Sequence, residues 1–151
     1  MEAVLVAIHL LAAAVWVGGT VALVFVGVPV IVKLEGETRG MALRELGRRW
    51  RPLGYGALGV LVVTGLLLAD EDLDEASAAF DVVLAIKIGL VALMIGASLY
   101  HDYVLGPRLA AQIRAGEPPT IRPKLVWVGR FAFVLTIVVP ILGVALQQLA
   151  D

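Results

Sequence analysis

Two ionisable side chains lie where they are costly to place. His9 opens the stretch His9-Leu10-Leu11-Ala12-Ala13-Ala14-Val15-Trp16, and Lys87 lies within Leu84-Ala85-Ile86-Lys87-Ile88-Gly89-Leu90-Val91. Both stretches are otherwise apolar. A lysine at hydrocarbon depth costs about 2.5–3.5 kcal/mol on insertion scales, so such residues usually mark a site. An imidazole can ligate a metal through a ring nitrogen. A buried ammonium can pair with a carboxylate, or become a nitrogen ligand once burial has removed its proton. At 1.5 Å per residue both side chains fall roughly 10 Å below one membrane face. Two costly groups at one depth predict one shared cavity. An alternative needs no ligand: Lys87 bonds helix carbonyls and a neutral His9, and simply locks two helices.

The same depth on the other apolar runs falls at Thr64-Gly65 and at Gly143. Small residues there either let helices pack closely or leave room for a ligand. Trp16, one heptad from His9, can pack against a ligand ring or serve as a core aromatic. The residues expected around that cavity, as a cofactor-binding set, are therefore His9, Lys87, Trp16, Thr64 and Gly143. Lys87, Met94 and His101 recur every seven residues and share one helical stripe. His101 lies about 21 Å from Lys87 along the axis. It is expected at the other membrane interface, paired with Asp102 or a loop cation, and too far from His9 to share one metal within a bundle. The chain has no cysteine, which excludes disulfides, iron–sulfur clusters and thiolate sites.

The elements that must position these residues are read from hydropathy. Of 151 residues 60% are hydrophobic, and mean hydropathy is +0.95, above what a soluble domain shows. Four continuous apolar runs, about 3–32, 53–69, 80–105 and 126–149, each match the ~20 residues that cross a bilayer core. The first is too long and lacks the basic leader of a cleaved signal, so it is expected to be retained. Continuous rather than alternating runs predict helices and not a barrel. The expected fold is all-α: one transmembrane domain over residues 1–151, an integral membrane four-helix bundle.

Charge sets the expected orientation. Eleven of the twelve Lys and Arg residues lie in or beside the first and third loops, from Lys33 to Arg51 and from Arg108 to Arg130. The second loop reads Asp70-Glu71-Asp72-Leu73-Asp74-Glu75. The positive-inside rule then places loops one and three in the cytoplasm, and loop two and both termini outside, in a multi-pass protein of the cytoplasmic membrane. Residues 37–49 are amphipathic, and read either as a helix on the membrane surface or as a solvated connector near anionic lipid. Gly116-Glu117-Pro118-Pro119 should break the third loop. Pro29 and Pro140 fall inside spans, where neighbouring helices accommodate them. Trp50, Tyr55, Tyr100, Tyr103 and Trp127 form an expected aromatic belt.

The segment His9-Leu-Leu-Ala-Ala-Ala-Val-Trp-Val-Gly-Gly resembles the first helix of the copper-resistance D (CopD) membrane family. It is also similar to that of the HemJ-type protoporphyrinogen oxidases, where a histidine precedes Trp-x-x-Gly. The segment from Lys87 through Met94 to Tyr100-His101-Asp102-Tyr103 resembles the HemJ-type helix that opens on a lysine and closes on a His-rich Tyr segment. CopD-like domains also carry an early lysine there. The resemblance implies a four-helix core. On the HemJ side it implies b-type haem with His9 as axial ligand, Lys87 as the required lysine, and a HemJ-like oxidoreductase. His101-Asp102 departs from the paired histidine of that pattern. On the CopD side it implies copper import or tolerance.

Three functions stay open. The first is a haem-b-binding redox protein, with Lys87 on a propionate or as second ligand, and quinone or porphyrin as partner. The second is a copper transport or tolerance protein, for which three methionines and two histidines are the available donors. The third is a structural subunit without a prosthetic group. Lipid is an expected partner and a homo-oligomer is compatible; nucleic acid is not expected.

Overall fold

A helix that stays apolar for 20 residues satisfies its backbone internally and can face lipid on every side. Four such helices make up the computed structural model, which describes residues 2–72 and 78–150. The protein is all-α as expected, and no strand occurs among the described residues. Helix α1 covers residues 2–31 and α2 covers Gly36–Asp72. Helix α3 covers residues 78–114 and α4 covers Arg122–Ala150. The chain divides into two units, Met1–Glu75 and Ala76–Asp151, each a helical hairpin. Residues 73–77 of the acidic second loop lie outside the described residues.

In the first hairpin the second helix starts well before the apolar run at about residue 53. Helix α2 runs unbroken for 37 residues, so the amphipathic stretch 37–49 is its basic end and not a separate surface element. Pro52 lies inside it and removes one backbone bond. Two side-chain pairs support the turn before that gap. Arg48 donates through Nε and Nη2 to the two Glu45 oxygens at 2.9 and 2.7 Å, and Arg49 donates through Nε at 2.6 Å. These are the i,i+3 and i,i+4 spacings that favour a helix.

Three turns widen to π-helical geometry: Ala14–Gly18, Leu23–Gly27 and Tyr100–Leu105. Two of them end just before a proline, at Val28-Pro29 and Gly106-Pro107. The proline ring would strike the carbonyl four residues back, Phe25 or Tyr103, and a wider turn relieves that clash. The third ends at Gly18-Gly19. A wide turn leaves backbone groups poorly paired, and Thr20 donates its hydroxyl to the Trp16 carbonyl at 2.7 Å.

In the second hairpin the connector follows expectation. Helix α3 stops at Arg114, and Gly116 takes φ +70°, a conformation costly for any side chain. Gln112 clasps the loop: its Nε2 donates to Thr120 Oγ1 at 2.7 Å, and its Oε1 accepts from the Ile121 N–H at 3.3 Å. The Lys124 ammonium sits 5.2 Å from the Tyr100 ring centroid, a cation–π distance. Large apolar side chains such as Leu11, Phe25, Trp127 and Ile141 stay largely exposed, as lipid-facing residues do.

Candidate functional site

In the first hairpin α1 brings His9 onto α2 at Thr64-Gly65. Thr64 is 5% exposed, and its Oγ1 lies 2.7 Å from His9 Nδ1 and 2.7 Å from the Val60 carbonyl oxygen. A hydroxyl has one proton to give. With that proton on the Val60 carbonyl, His9 Nδ1–H donates to Thr64. This tautomer places the basic lone pair of the ring on Nε2, the nitrogen a metal would take. Gly65 makes the approach possible: a Cβ there would stand 3.3 Å from His9 Cε1.

Trp16 lies deeper in the same hairpin and is 6% exposed. Its ring stacks on Trp50 at 6.2 Å between centroids and tilts against Tyr55 at 6.1 Å. Its buried Nε1–H has no hydrogen-bond partner among the described residues. Gly19 and Gly54 make the slot for the Trp50 ring, since a Cβ on either would overlap it.

In the second hairpin the α3 stripe meets a matching series on α4. Lys87 lies along Gly143, where a Cβ would stand 3.5 Å from Nζ and 3.9 Å from Cε. One heptad on, Thr136 Oγ1 lies 3.0 Å from the Ala132 carbonyl oxygen and 3.5 Å from Met94 Sδ, with its one proton shared between them, and both side chains are buried. One heptad further, His101 faces Gly129, where a Cβ would stand 3.1 Å from Nε2. Residues 87, 94 and 101 thus oppose 143, 136 and 129, the register of antiparallel helices that share a seven-residue repeat. His101 Nδ1 pairs with Asp102 Oδ1 at 2.8 Å, the expected aspartate partner. A carboxylate on Nδ1 fixes the ring and leaves Nε2 as the ligating nitrogen, as around bound metals.

The expected residues therefore fall into two groups: His9 with Thr64, beside the Trp16 cluster, on one hairpin, and Lys87 with Gly143 on the other. Sequence reasoning missed Thr136 and Gly129. Their signal was the heptad running back from Gly143, which mirrors the one on α3. Among the described residues no three His, Asp or Glu side chains gather around a point that could hold a metal ion.

Four helices able to span a membrane, carrying polar side chains on their packed faces, define an all-α multi-pass membrane protein. The family model described as copper resistance protein D (CopD) matches residues 44–146, more than half the chain, and the protein belongs to that family. The match takes in the whole α3–α4 ladder except the last residues of α4. No curated protein and no solved structure matches the chain.

Proposed function

We propose that this protein handles copper, as a copper transport or tolerance protein of the cell membrane. The observation that carries this reading is the family match over residues 44–146. The residues inside that match support it. Met94 offers a thioether, which suits Cu(I), and His101 offers an imidazole, which suits either copper oxidation state. They lie seven residues apart on one stripe, about 10 Å along the axis. That spacing makes two stations for a passing ion rather than one closed site, so copper is cargo here. The Met94 sulfur is held only by a weak hydroxyl bond, which an arriving ion can displace. The charge pattern supports an orientation with the acidic second loop outside, where it would collect cations.

The test is copper content and growth in copper-limited and copper-loaded cells with and without the protein. Copper content that follows expression, and falls in Met94→Leu and His101→Ala, supports the reading. Content independent of expression overturns it.

One observation favours a second reading, a haem-b-binding redox protein of HemJ-like type. His9 is an imidazole inside an apolar span, oriented by Thr64 so that Nε2 is its basic nitrogen. In that reading His9 is the axial ligand, and Lys87, beside Gly143, pairs with a propionate or supplies the second nitrogen. Haem would supply one-electron chemistry. In that reading Trp16, packed beside Trp50 and Tyr55, would lie against the porphyrin. A Soret band in protein expressed with ample haem, lost in His9→Ala and kept in His101→Ala, would favour this reading over the first.

A further inference from the structure

Between α1 and α2, on the first hairpin alone, runs an apolar groove of about 410 Å³. Leu11, Ala12 and Val15 form one wall, and Leu53, Gly56 and Val60 the other. Leu11 and Leu53 are more than half exposed, so the groove is open along its side. The absence of a side chain at Gly56 keeps it open, since a Cβ there meets nothing within 4 Å. On α2 the stripe Gly56, Leu53 continues directly to Arg49. Arg49, Leu53, Gly56 and Val60 follow at i, i+4, i+7 and i+11, one face of one helix. Arg49 and Val60 are about 17 Å apart along the axis.

The α2 face that lines the groove thus carries a guanidinium one helical turn before Leu53. Arg49 has a side chain 77% exposed and gives its Nε to Glu45. Arg48, one residue earlier, is engaged with both Glu45 oxygens. The Glu45–Arg48–Arg49 group keeps one net positive charge, and Arg44 and Arg51 lie near it in the sequence. Basic side chains at the interface bind anionic headgroups, and arginine matches phosphate geometry.

We propose that this groove binds one anionic phospholipid, its acyl chain along Leu11, Gly56 and Val60 and its phosphate on Arg49. The juxtaposition of an apolar groove with a guanidinium on the same α2 face selects a molecule with both parts. Neither part depends on copper or haem.

The test uses the full-length protein in detergent, supplied with equimolar dioleoyl phosphatidylglycerol and dioleoyl phosphatidylcholine, with bound lipid read by native mass spectrometry. The wild-type protein should retain the glycerol lipid over the choline lipid by about fivefold, the weight of one basic residue at a membrane surface. Arg49→Gln should bind the two lipids alike while keeping total lipid, because only the headgroup contact is lost. Gly56→Leu fills the groove and should lose both. Gly59→Leu is the control: it lies off the groove, a Cβ there meets nothing within 4 Å, and lipid retention should not change. Equal retention of the two lipids by the wild-type protein, or wild-type retention by Gly56→Leu, would overturn the proposal. The Arg49 variant changes only an exposed side chain, so it decides the headgroup question even if a groove variant folds poorly.

Discussion

The two hairpins solve the problem of a polar group inside an apolar helix in different ways. In α1–α2 the imidazole of His9 receives a dedicated acceptor, Thr64, and the space below it is filled by the Trp16, Trp50 and Tyr55 rings. In α3–α4 each residue of the α3 stripe meets a small residue of α4: Lys87 meets Gly143, Met94 meets Thr136, and His101 meets Gly129. The first device orients one group in a fixed direction. The second leaves long side chains room beside a helix, holds Met94 weakly, and orients His101 through its neighbour Asp102. The copper proposal draws on the second hairpin because a soft sulfur and an imidazole share one stripe there, while the haem proposal rests chiefly on the first.

The comparison can be broken most severely at Met94, which is 3% exposed. Met94→Ala opens a cavity in the α3–α4 ladder and should cost about 2–5 kcal/mol of stability. Unfolding in mixed detergent micelles, followed by circular dichroism, measures it. A loss well below that range would mean that the ladder is not a packed interface.

Gly19→Ala comes next. The added methyl group must displace the Trp50 ring, and overpacking of this kind costs about 1–3 kcal/mol. Gly18→Ala is the paired control, since its Cβ meets nothing, and should be neutral or slightly stabilising. Equal effects of the two in thermal melts would show that the aromatic slot does not constrain the hairpin.

The threonines give the sharpest contrast. Thr64→Val removes the acceptor of His9 Nδ1–H and should cost about 1–3 kcal/mol. Thr136→Val removes a hydroxyl bonded to a thioether and to its own helix, and should cost nearer 0.6 kcal/mol, the average for a bond between membrane helices. Reversal of that order in the same unfolding assay would remove the distinction between the hairpins. The smallest effect is expected at Glu45. Its pairs with Arg48 and Arg49 are exposed, and Glu45→Gln should leave the melting temperature unchanged.

Much of this was legible in the sequence. Continuous hydropathy gave the four helices, and Gly116-Glu117-Pro118-Pro119 gave the third connector. Counting depth at 1.5 Å per residue put Thr64 and Gly143 at one level with His9 and Lys87, but did not say which of them meets which. The continuity of α2 did not follow. The apolar run begins only near residue 53, and the Glu45 pairs that support the preceding turn are visible only once the helix exists. Thr136 and Gly129 were also missed, because a threonine or glycine in an apolar helix signals packing in general and names no partner. The heptad they share with Gly143 acquires meaning only when set antiparallel to Lys87, Met94 and His101. The widened turns need the positions of Pro29 and Pro107 together with the carbonyls they strike, which hydropathy does not carry.

Copper movement by the purified protein tests the functional reading most directly. The protein is reconstituted into vesicles, Cu(I) is supplied outside under a reductant, and internal copper is measured by elemental analysis after external chelation. Wild-type vesicles should take up copper faster than protein-free vesicles, with uptake reduced in Met94→Leu and His101→Ala and unchanged in Gly18→Ala. Uptake equal to that of protein-free vesicles, from protein that keeps its helical circular-dichroism signal, would contradict a copper-transporting role.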